Sequence, residues 1–236
     1  MSEYAILMAA GMGTRMRPLT DTVPKPLIQV HGKPMIETVI EGLLERPVEE
    51  IYIVTGYLGE QFEEMKKKYP RVHLIENKDY ATINNISSIY AAREVLQKGD
   101  CFICESDLFV ADPGIFRKEL SHSCYFGRMQ EGYSDDWTFH MEGDKIRRVC
   151  KGGSDTYNMV GVAYFQKEEA AKLAQLVTNA YGQKGYEDLF WDDVVDRNLD
   201  VLDLTVEPVQ PGQLVEIDTV EELNTINECQ DFIKQH

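Results

Sequence analysis

Positive charge is scarce in this chain: 24 lysines and arginines stand against 40 aspartates and glutamates, a formal charge of −16 over 236 residues. A nucleic-acid partner calls for a basic face, so DNA and RNA are not expected as substrates. Long apolar runs are missing too. None approaches the ~20 residues that cross a bilayer, and nothing resembles a signal peptide. No membrane partner is expected, and the cytoplasm is the expected compartment. The five cysteines are odd in number and scattered. Cys101 and Cys104 have C-x-x-C spacing, but they lie in an apolar, strand-like run where side chains three apart face opposite ways. With no second pair or nearby histidine to complete a zinc site, reduced buried thiols are the expectation, in keeping with a cytosolic chain. His31, His73, His122 and His140 are dispersed and read as packing or surface residues. Internal repeats, low-complexity stretches and linkers are absent, and no hexapeptide array suggests an appended β-helix. The span 1–236 reads as one α/β domain, large enough for a substantial core.

What the chain does have is a loop suited to an anion. The apolar run Tyr4–Ala10 passes into Gly11-Met12-Gly13-Thr14-Arg15, and Lys25 follows ten residues after Arg15, between Pro24 and Pro26. Glycine lets backbone N–H groups crowd a phosphate, arginine supplies a forked donor, and the prolines stiffen the segment that carries the lysine. The spacing is neither a P-loop, G-x-x-x-x-G-K-[ST], nor a dinucleotide fingerprint, which needs a third glycine. Taken together, A-A-G-x-G-x-R followed by P-K-P resembles the nucleotidyltransferase superfamily. Its members condense a nucleoside triphosphate with a phosphorylated small molecule and release pyrophosphate.

The first hundred residues alternate strand-like and helix-like stretches. Tyr4–Ala10, Ile51–Thr55, Val72–Ile75 and Cys101–Cys104 read as strands, with helices over Met35–Leu44, Gly59–Lys68 and Ser87–Leu96. Regular alternation implies right-handed βαβ units and a mainly parallel sheet, whose ligands gather beyond the carboxyl ends of the strands. The second half reads differently. Cys124–Gln130, Trp137–Met141, Lys145–Cys150 and Asn158–Phe165 look like shorter, mixed or antiparallel strands, with a hairpin turn at Gly143-Asp144. Helices are expected at Glu168–Tyr181, Leu189–Asn198 and Val220–Ile233, and late strands at Val201–Val206 and Val215–Ile217. The fold class is therefore α/β: a Rossmann-like central mixed sheet, mainly parallel and flanked by helices, with a smaller strand-rich part for substrate.

Asp107 and Asp218 each follow an apolar strand run, which suits oxygen ligands for Mg²⁺ bridging phosphate oxygens. Asp218 also fits a helix N-cap and Asp107 a turn aspartate. A phosphate monoester, with its second pKa at about 6, is already a nucleophile at neutral pH. The obstacle is repulsion between two anions, so positioning and charge neutralisation should dominate. Amides from Ala10 to Thr14, with Arg15, would hold the β and γ phosphates, and Lys25 would stabilise charge at the α phosphorus. The two tryptophans each adjoin paired aspartates, in Asp135-Asp136-Trp137 and Trp191-Asp192-Asp193. Aromatic faces beside carboxylates suit a quaternary ammonium, although Trp191 could equally pack a helix onto the sheet.

Nearly end to end the chain is similar to the bacterial CTP:phosphocholine cytidylyltransferases. The likeness rests on the glycine loop, Val23–Leu27, the run ending at Phe62, Asn84-Asn85 before Ser87-Ser88-Ile89-Tyr90, Asp107, Trp137, Phe190-Trp191-Asp192-Asp193 and Glu216-Ile217-Asp218. It implies CTP and phosphocholine as substrates, with Asp107 and Asp218 as Mg²⁺ ligands and Lys25 near the reacting phosphates. It places Trp137, Phe190, Trp191, Asp192 and Glu216 around choline, and Asn84, Asn85 and Ser88 beside Ala9–Arg15 near the nucleotide or the substrate phosphate. Tyrosine is common in the family where Phe190 stands, so a hydroxyl is lost there. The stretch Lys151–Tyr157 also departs from the family pattern, and the role of Lys151 stays open. Alternatives are a cytidylyltransferase for 2-aminoethylphosphonate or another amino-alcohol phosphate, a sugar-1-phosphate nucleotidyltransferase, and a non-catalytic nucleotide-binding domain. Oligomeric state is open, a homodimer included.

Overall fold

The computed structural model describes residues 2–229. Strand β1 (Glu3–Ala9) alternates as a strand covered on both faces must: Ala5, Leu7 and Ala9 pack into one apolar layer and Ile6 into the other. After it the chain forms only single 3₁₀ turns, at Thr14–Met16, Leu19–Asp21 and Lys25–Leu27. A small hairpin, β2 (Gln29–Val30) and β3 (Lys33–Pro34), leads into α1 (Met35–Leu44), which has the expected bounds. Then come β4 (Val48–Thr55), α2 (Glu63–Lys68), β5 (Val72–Glu76), α3 (Ile86–Ala91) and β6 (Asp100–Glu105). Two helices are shorter than the sequence suggests. Gly59–Phe62 is a 3₁₀ turn ahead of α2, and α3 stops before a separate turn at Val95–Gln97.

A short strand that the sequence reading lacked, β7 (Leu108–Val110), precedes the largest surprise. The four short strands expected between residues 124 and 165 are two long ones, β8 (Cys124–Glu142) and β9 (Lys145–Phe165), joined at Gly143-Asp144 as expected. Register breaks explain the misreading. Thr138 pairs with both Cys150 and Asn158, and Phe139 with both Val149 and Tyr157, so the polar middle of each strand bends and no longer reads as strand. Helices α4 (Lys167–Ala180) and α5 (Trp191–Asp196) follow, then β10 (Thr205–Pro208), β11 (Leu214–Glu216) and α6 (Val220–Glu228). The closing helix, expected over Val220–Ile233, ends at Glu228 with Cys229 extended; positions 230–233 lie outside the described residues.

The main sheet runs β10-β8-β9-β6-β1-β4-β5. β1 lies parallel between β4 and β6, with Leu7 opposite Ile53 and Cys104, while β9 runs antiparallel to β6. β7 pairs antiparallel with β11, which brings Glu216 opposite Leu108. Ile36, Val39, Ile40 and Leu43 of α1 cover one face of the sheet; Ala170, Leu173, Val177, Val194 and Val195 of α4 and α5 cover the other. Each of these valine, leucine and isoleucine side chains contributes about 1.5–3 kcal/mol through burial. Cys101 and Cys104 fall in opposite layers, as their spacing requires, and burial pushes both thiols well above the ordinary range. All five cysteines are free thiols. The carboxyl ends of β1 and β6 meet at one edge, so the glycine loop and Asp107 emerge side by side.

Candidate active site

Gly13 shapes the loop. Its φ is +59°, and a Cβ there would stand 2.8 Å from Lys25 Cβ and 3.0 Å from Thr20 Cγ2. Thr20 Oγ1 donates to the Gly13 carbonyl at 2.8 Å, and Tyr57 N–H donates to the Ala10 carbonyl at 3.1 Å. The carbonyls are thus tied down. Among the described residues the N–H groups of Gly11, Met12 and Gly13 donate to no protein acceptor. Gly11 faces open space, with nothing within 4 Å of a Cβ built on it. Backbone N–H groups without a protein acceptor around a concavity suit an anion.

Charges converge beside this loop. Lys25, 7% exposed, donates from Nζ to Asp107 Oδ2 at 2.7 Å and to Asp218 Oδ1 at 2.5 Å. Arg15 forks onto Asp218 from both terminal nitrogens, at 2.8 and 2.7 Å. Burial alone would lower the Lys25 pKa, but the two carboxylates outweigh it and raise the net value. Asp218 is not a helix cap. That role belongs to Thr219, whose Oγ1 accepts from Glu222 N–H, which leaves Asp218 to face the basic residues.

The acids are crowded. Carboxylate oxygens of Glu105, Asp107 and Glu216 all lie within 4.8 Å of one another. Burial, then Asp107 and Glu216, raise Glu105 well above its ordinary value. Crowding by protein around Glu216, then Asp107 and Asp218, push its carboxyl up to about 8. Asp107 Oδ1 is buried and has no hydrogen-bond partner among the described residues. Clustered carboxylates with an unused oxygen are the donor set of a hard divalent cation, so Asp107 fits Mg²⁺ together with Glu105 and Glu216. Asp218, the other expected ligand, stands outside that cluster with its oxygens on Arg15 and Lys25.

Two adjoining clefts open from this cluster. The first, about 460 Å³, is lined by Ala9, Gly11, Gly13, Thr14, Lys25 and Asn84, among others. The second, about 580 Å³, holds Trp137, Phe190, Glu216, Asp135, Asp136 and Lys151 on its walls. Arg15 and Asp218 line both. The rings of Trp137 and Phe190 meet edge to face at 5.4 Å, and Lys151 Nζ stands 5.7 and 5.6 Å from their respective centres.

Six of the residues expected to touch ligands do not line these clefts: Ala10, Met12, Asn85, Ser88, Trp191 and Asp192. Trp191 is 3% exposed, stacked on Tyr125 at 5.6 Å and set edge-on to Phe165. It is the first residue of α5, and one helical step turns it away from Phe190 into the layer that holds Val194 and Val195. Asp192 is buried beside it and accepts from Tyr125 O–H at 3.0 Å; burial pushes its carboxyl up to about 7. Asn85 Oδ1 accepts from Trp191 N–H at 2.9 Å, which seats the start of α5. Ser88 is buried and accepts from Asn77 Nδ2 at 3.2 Å. These four lie behind the clefts, and Ala10 is buried beneath the loop. Met12 lies exposed at the loop tip. The second cleft also contains Glu105, Arg128 and Asn158, none of them anticipated. Glu105 could have been found, since it stands two residues from Asp107 at a strand end. Arg128 and Asn158 are opposite one another across β8 and β9, a pairing that only the register reveals.

A Rossmann-like sheet whose edge carries an amide-lined anion loop, a buried lysine and clustered carboxylates defines an enzyme of nucleotide phosphate chemistry. Residues 4–122 match the family described as Nucleotidyl transferase. Over 93% of its length the chain is 54% identical to 2-aminoethylphosphonate cytidylyltransferase of Lancefieldella rimae, 89% of which is covered. It is 35% identical over 95% of its length to choline-phosphate cytidylyltransferase of Streptococcus pneumoniae, covering 96% of that protein. A solved structure of the Streptococcus pneumoniae CTP:phosphocholine cytidylyltransferase superposes with a TM-score of 0.89 at 34% identity, covering 97% of this chain and 99% of that one. The chain belongs to the nucleotidyl transferase family, among its cytidylyltransferases.

Proposed function

We propose that this chain transfers a cytidylyl group from CTP to 2-aminoethylphosphonate and releases pyrophosphate. The observation that carries the reading is the make-up of the second cleft. A closed aromatic box would favour a trimethylammonium. With Trp191 buried in the core, two rings remain, set among Glu105, Asp135, Asp136 and Glu216. Carboxylates offer a primary ammonium both charge and hydrogen-bond acceptors, which a quaternary nitrogen cannot use. The greater likeness to the aminoethylphosphonate enzyme supports the same choice. Phosphocholine, the substrate expected from the motifs, is the second reading, favoured by the Trp137–Phe190 pair.

In the mechanism that follows, the amides of Gly11–Thr14 and the Arg15 guanidinium bind the β and γ phosphates. A phosphonate oxygen attacks the α phosphorus in line, the new P–O bond forms as the α–β bridge breaks, and pyrophosphate leaves with the electron pair. Lys25, held by Asp107 and Asp218, stands where negative charge develops on the bridging oxygen, and its fixed position avoids reorganisation at the moment of reaction. No general base is needed, because the attacking oxygen carries no proton in the dianion. Asp107, together with Glu105 and Glu216, would hold Mg²⁺, which when bound neutralises triphosphate charge. Pyrophosphate release with CTP and either 2-aminoethylphosphonate, phosphoethanolamine or phosphocholine tests the reading. A kcat/KM for 2-aminoethylphosphonate at least about tenfold above that for phosphocholine is expected; the reverse order overturns it.

A further inference from the structure

The second cleft contains one buried acceptor that the chain leaves unused. Asn158 on β9 is 5% exposed, and its Nδ2 donates to Ser134 Oγ at 2.7 Å and to Asp136 Oδ2 at 3.3 Å. A carboxylate oxygen only accepts, so this contact fixes which end of the amide is nitrogen. Both N–H groups are thereby engaged. The other end, Oδ1, is buried with no hydrogen-bond partner among the described residues. Buried polar atoms of native proteins nearly always find partners, and an orphan on the wall of a substrate cleft calls for a donor from the ligand.

We propose that Asn158 Oδ1, with the Asp136 carboxylate beside it, accepts N–H groups of a primary ammonium on the second substrate and so selects it over a quaternary ammonium. This rests on the aminoethylphosphonate reading above and names the residue that enforces it. The Trp137 and Phe190 faces, which Lys151 Nζ already approaches, do not discriminate between the two cations. A trimethylammonium has no N–H and would leave Oδ1 buried and unsatisfied. Sites that hydrogen-bond a substrate reject the analogue lacking the donor more strongly than apolar pockets reject an added methyl. The oxygen is covered by protein here, so the proposed contact requires its surroundings to shift when substrate binds.

The test measures pyrophosphate release from CTP with 2-aminoethylphosphonate carrying zero to three N-methyl groups. For the wild-type protein kcat/KM should drop abruptly, by about 10- to 100-fold, at the third methyl, which removes the last N–H. Asn158→Leu keeps the branching, is somewhat larger, and removes the acceptor together with the amide donor to Ser134 and Asp136. It should raise the KM for 2-aminoethylphosphonate by about 10- to 100-fold with kcat changed less than about threefold, so that the primary-to-trimethyl KM ratio collapses. Asn158→Asp retains an acceptor but sets a second carboxylate against Asp136 in place of an N–H, so both KM values should shift while their ratio is kept. A wild-type preference that survives in Asn158→Leu overturns the role of Asn158 and leaves the substrate reading standing. Equal turnover of primary and trimethyl compounds by the wild type overturns both. If Asn158→Leu gives no cooperative melting transition, the wild-type series still decides: an even decline with each methyl and no step at the third refutes the proposal.

Discussion

Replacing Lys25 with methionine removes the cation that, among the described residues, reaches both Asp107 and Asp218. The Lys25 side chain is 9% exposed and the carboxylates 22% and 21%. Breaking a fully buried pair by deleting one partner costs about 3–5 kcal/mol. Here water still reaches both acids, and Arg15 keeps its grip on Asp218, so a loss of about 1–3 kcal/mol in unfolding free energy is expected. The catalytic loss is separate: one fixed donor at developing charge is worth about 10²- to 10³-fold in kcat. Mg²⁺ distinguishes the two. It should restore part of the stability, because a divalent ion satisfies the stranded carboxylates, while kcat stays low. Lys25→Arg should lose less stability than methionine yet remain slow, since a planar fork cannot reproduce a point charge shared by two acids. Urea unfolding with and without Mg²⁺, beside single-turnover pyrophosphate release, reads both effects. A fall in kcat below about tenfold, or a stability loss that Mg²⁺ does not touch, would refute the reasoning.

Trp191→Ala should cost about 3–5 kcal/mol, as a buried aromatic does, and should shift the KM for CTP and for the second substrate alike; a selective effect on the second substrate would put Trp191 back in its pocket. Asp192→Asn keeps an acceptor for Tyr125 and removes a carboxyl raised from near 4 in the unfolded chain to about 7 by burial. The unfolded chain ionises first, so the wild type loses stability as pH rises from about 4 to 7, and the loss then stays constant. Melting curves should therefore show Asp192→Asn gaining on the wild type across that window; parallel pH profiles would count against it. Gly13→Ala should displace Lys25 and lower kcat, because φ is +59° and the new methyl meets Lys25 Cβ. Gly11→Ala meets no protein atom and should instead raise the KM for CTP, by placing a methyl in the anion site; unfolding midpoints and steady-state constants for the pair check the contrast.

The sequence made the parallel half of the fold legible, because its strands are covered on both sides and its helices carry one apolar stripe each. α1 came out with its bounds intact, and Cys101 and Cys104 on opposite faces, from periodicity alone. The β8–β9 pair was misread because its polar, bent middle carries no alternation; its continuity is a property of cross-strand register. At the site, Arg15, Lys25, Asp107 and Asp218 were legible because glycine, proline and strand ends leave little freedom in where they project. Trp191 and Asp192 were not. A tryptophan beside two acids has the same composition in a cage and in a core, and only the phase of α5 separates the two. Asn158 was hidden for a different reason: an asparagine in a strand carries no signal until its amide partners are known.

Arg15 and Asp218 belong to the walls of both clefts, so neither ligand meets an independent surface. Under the proposed function, a triphosphate that draws the guanidinium onto its own oxygens would leave Asp218 held, among the described residues, by Lys25 alone and change the charge of both clefts together. The two ligands are then expected to meet in a ternary complex, each changing the other's affinity by the same factor. Initial-rate plots at several fixed nucleotide concentrations then intersect instead of running parallel.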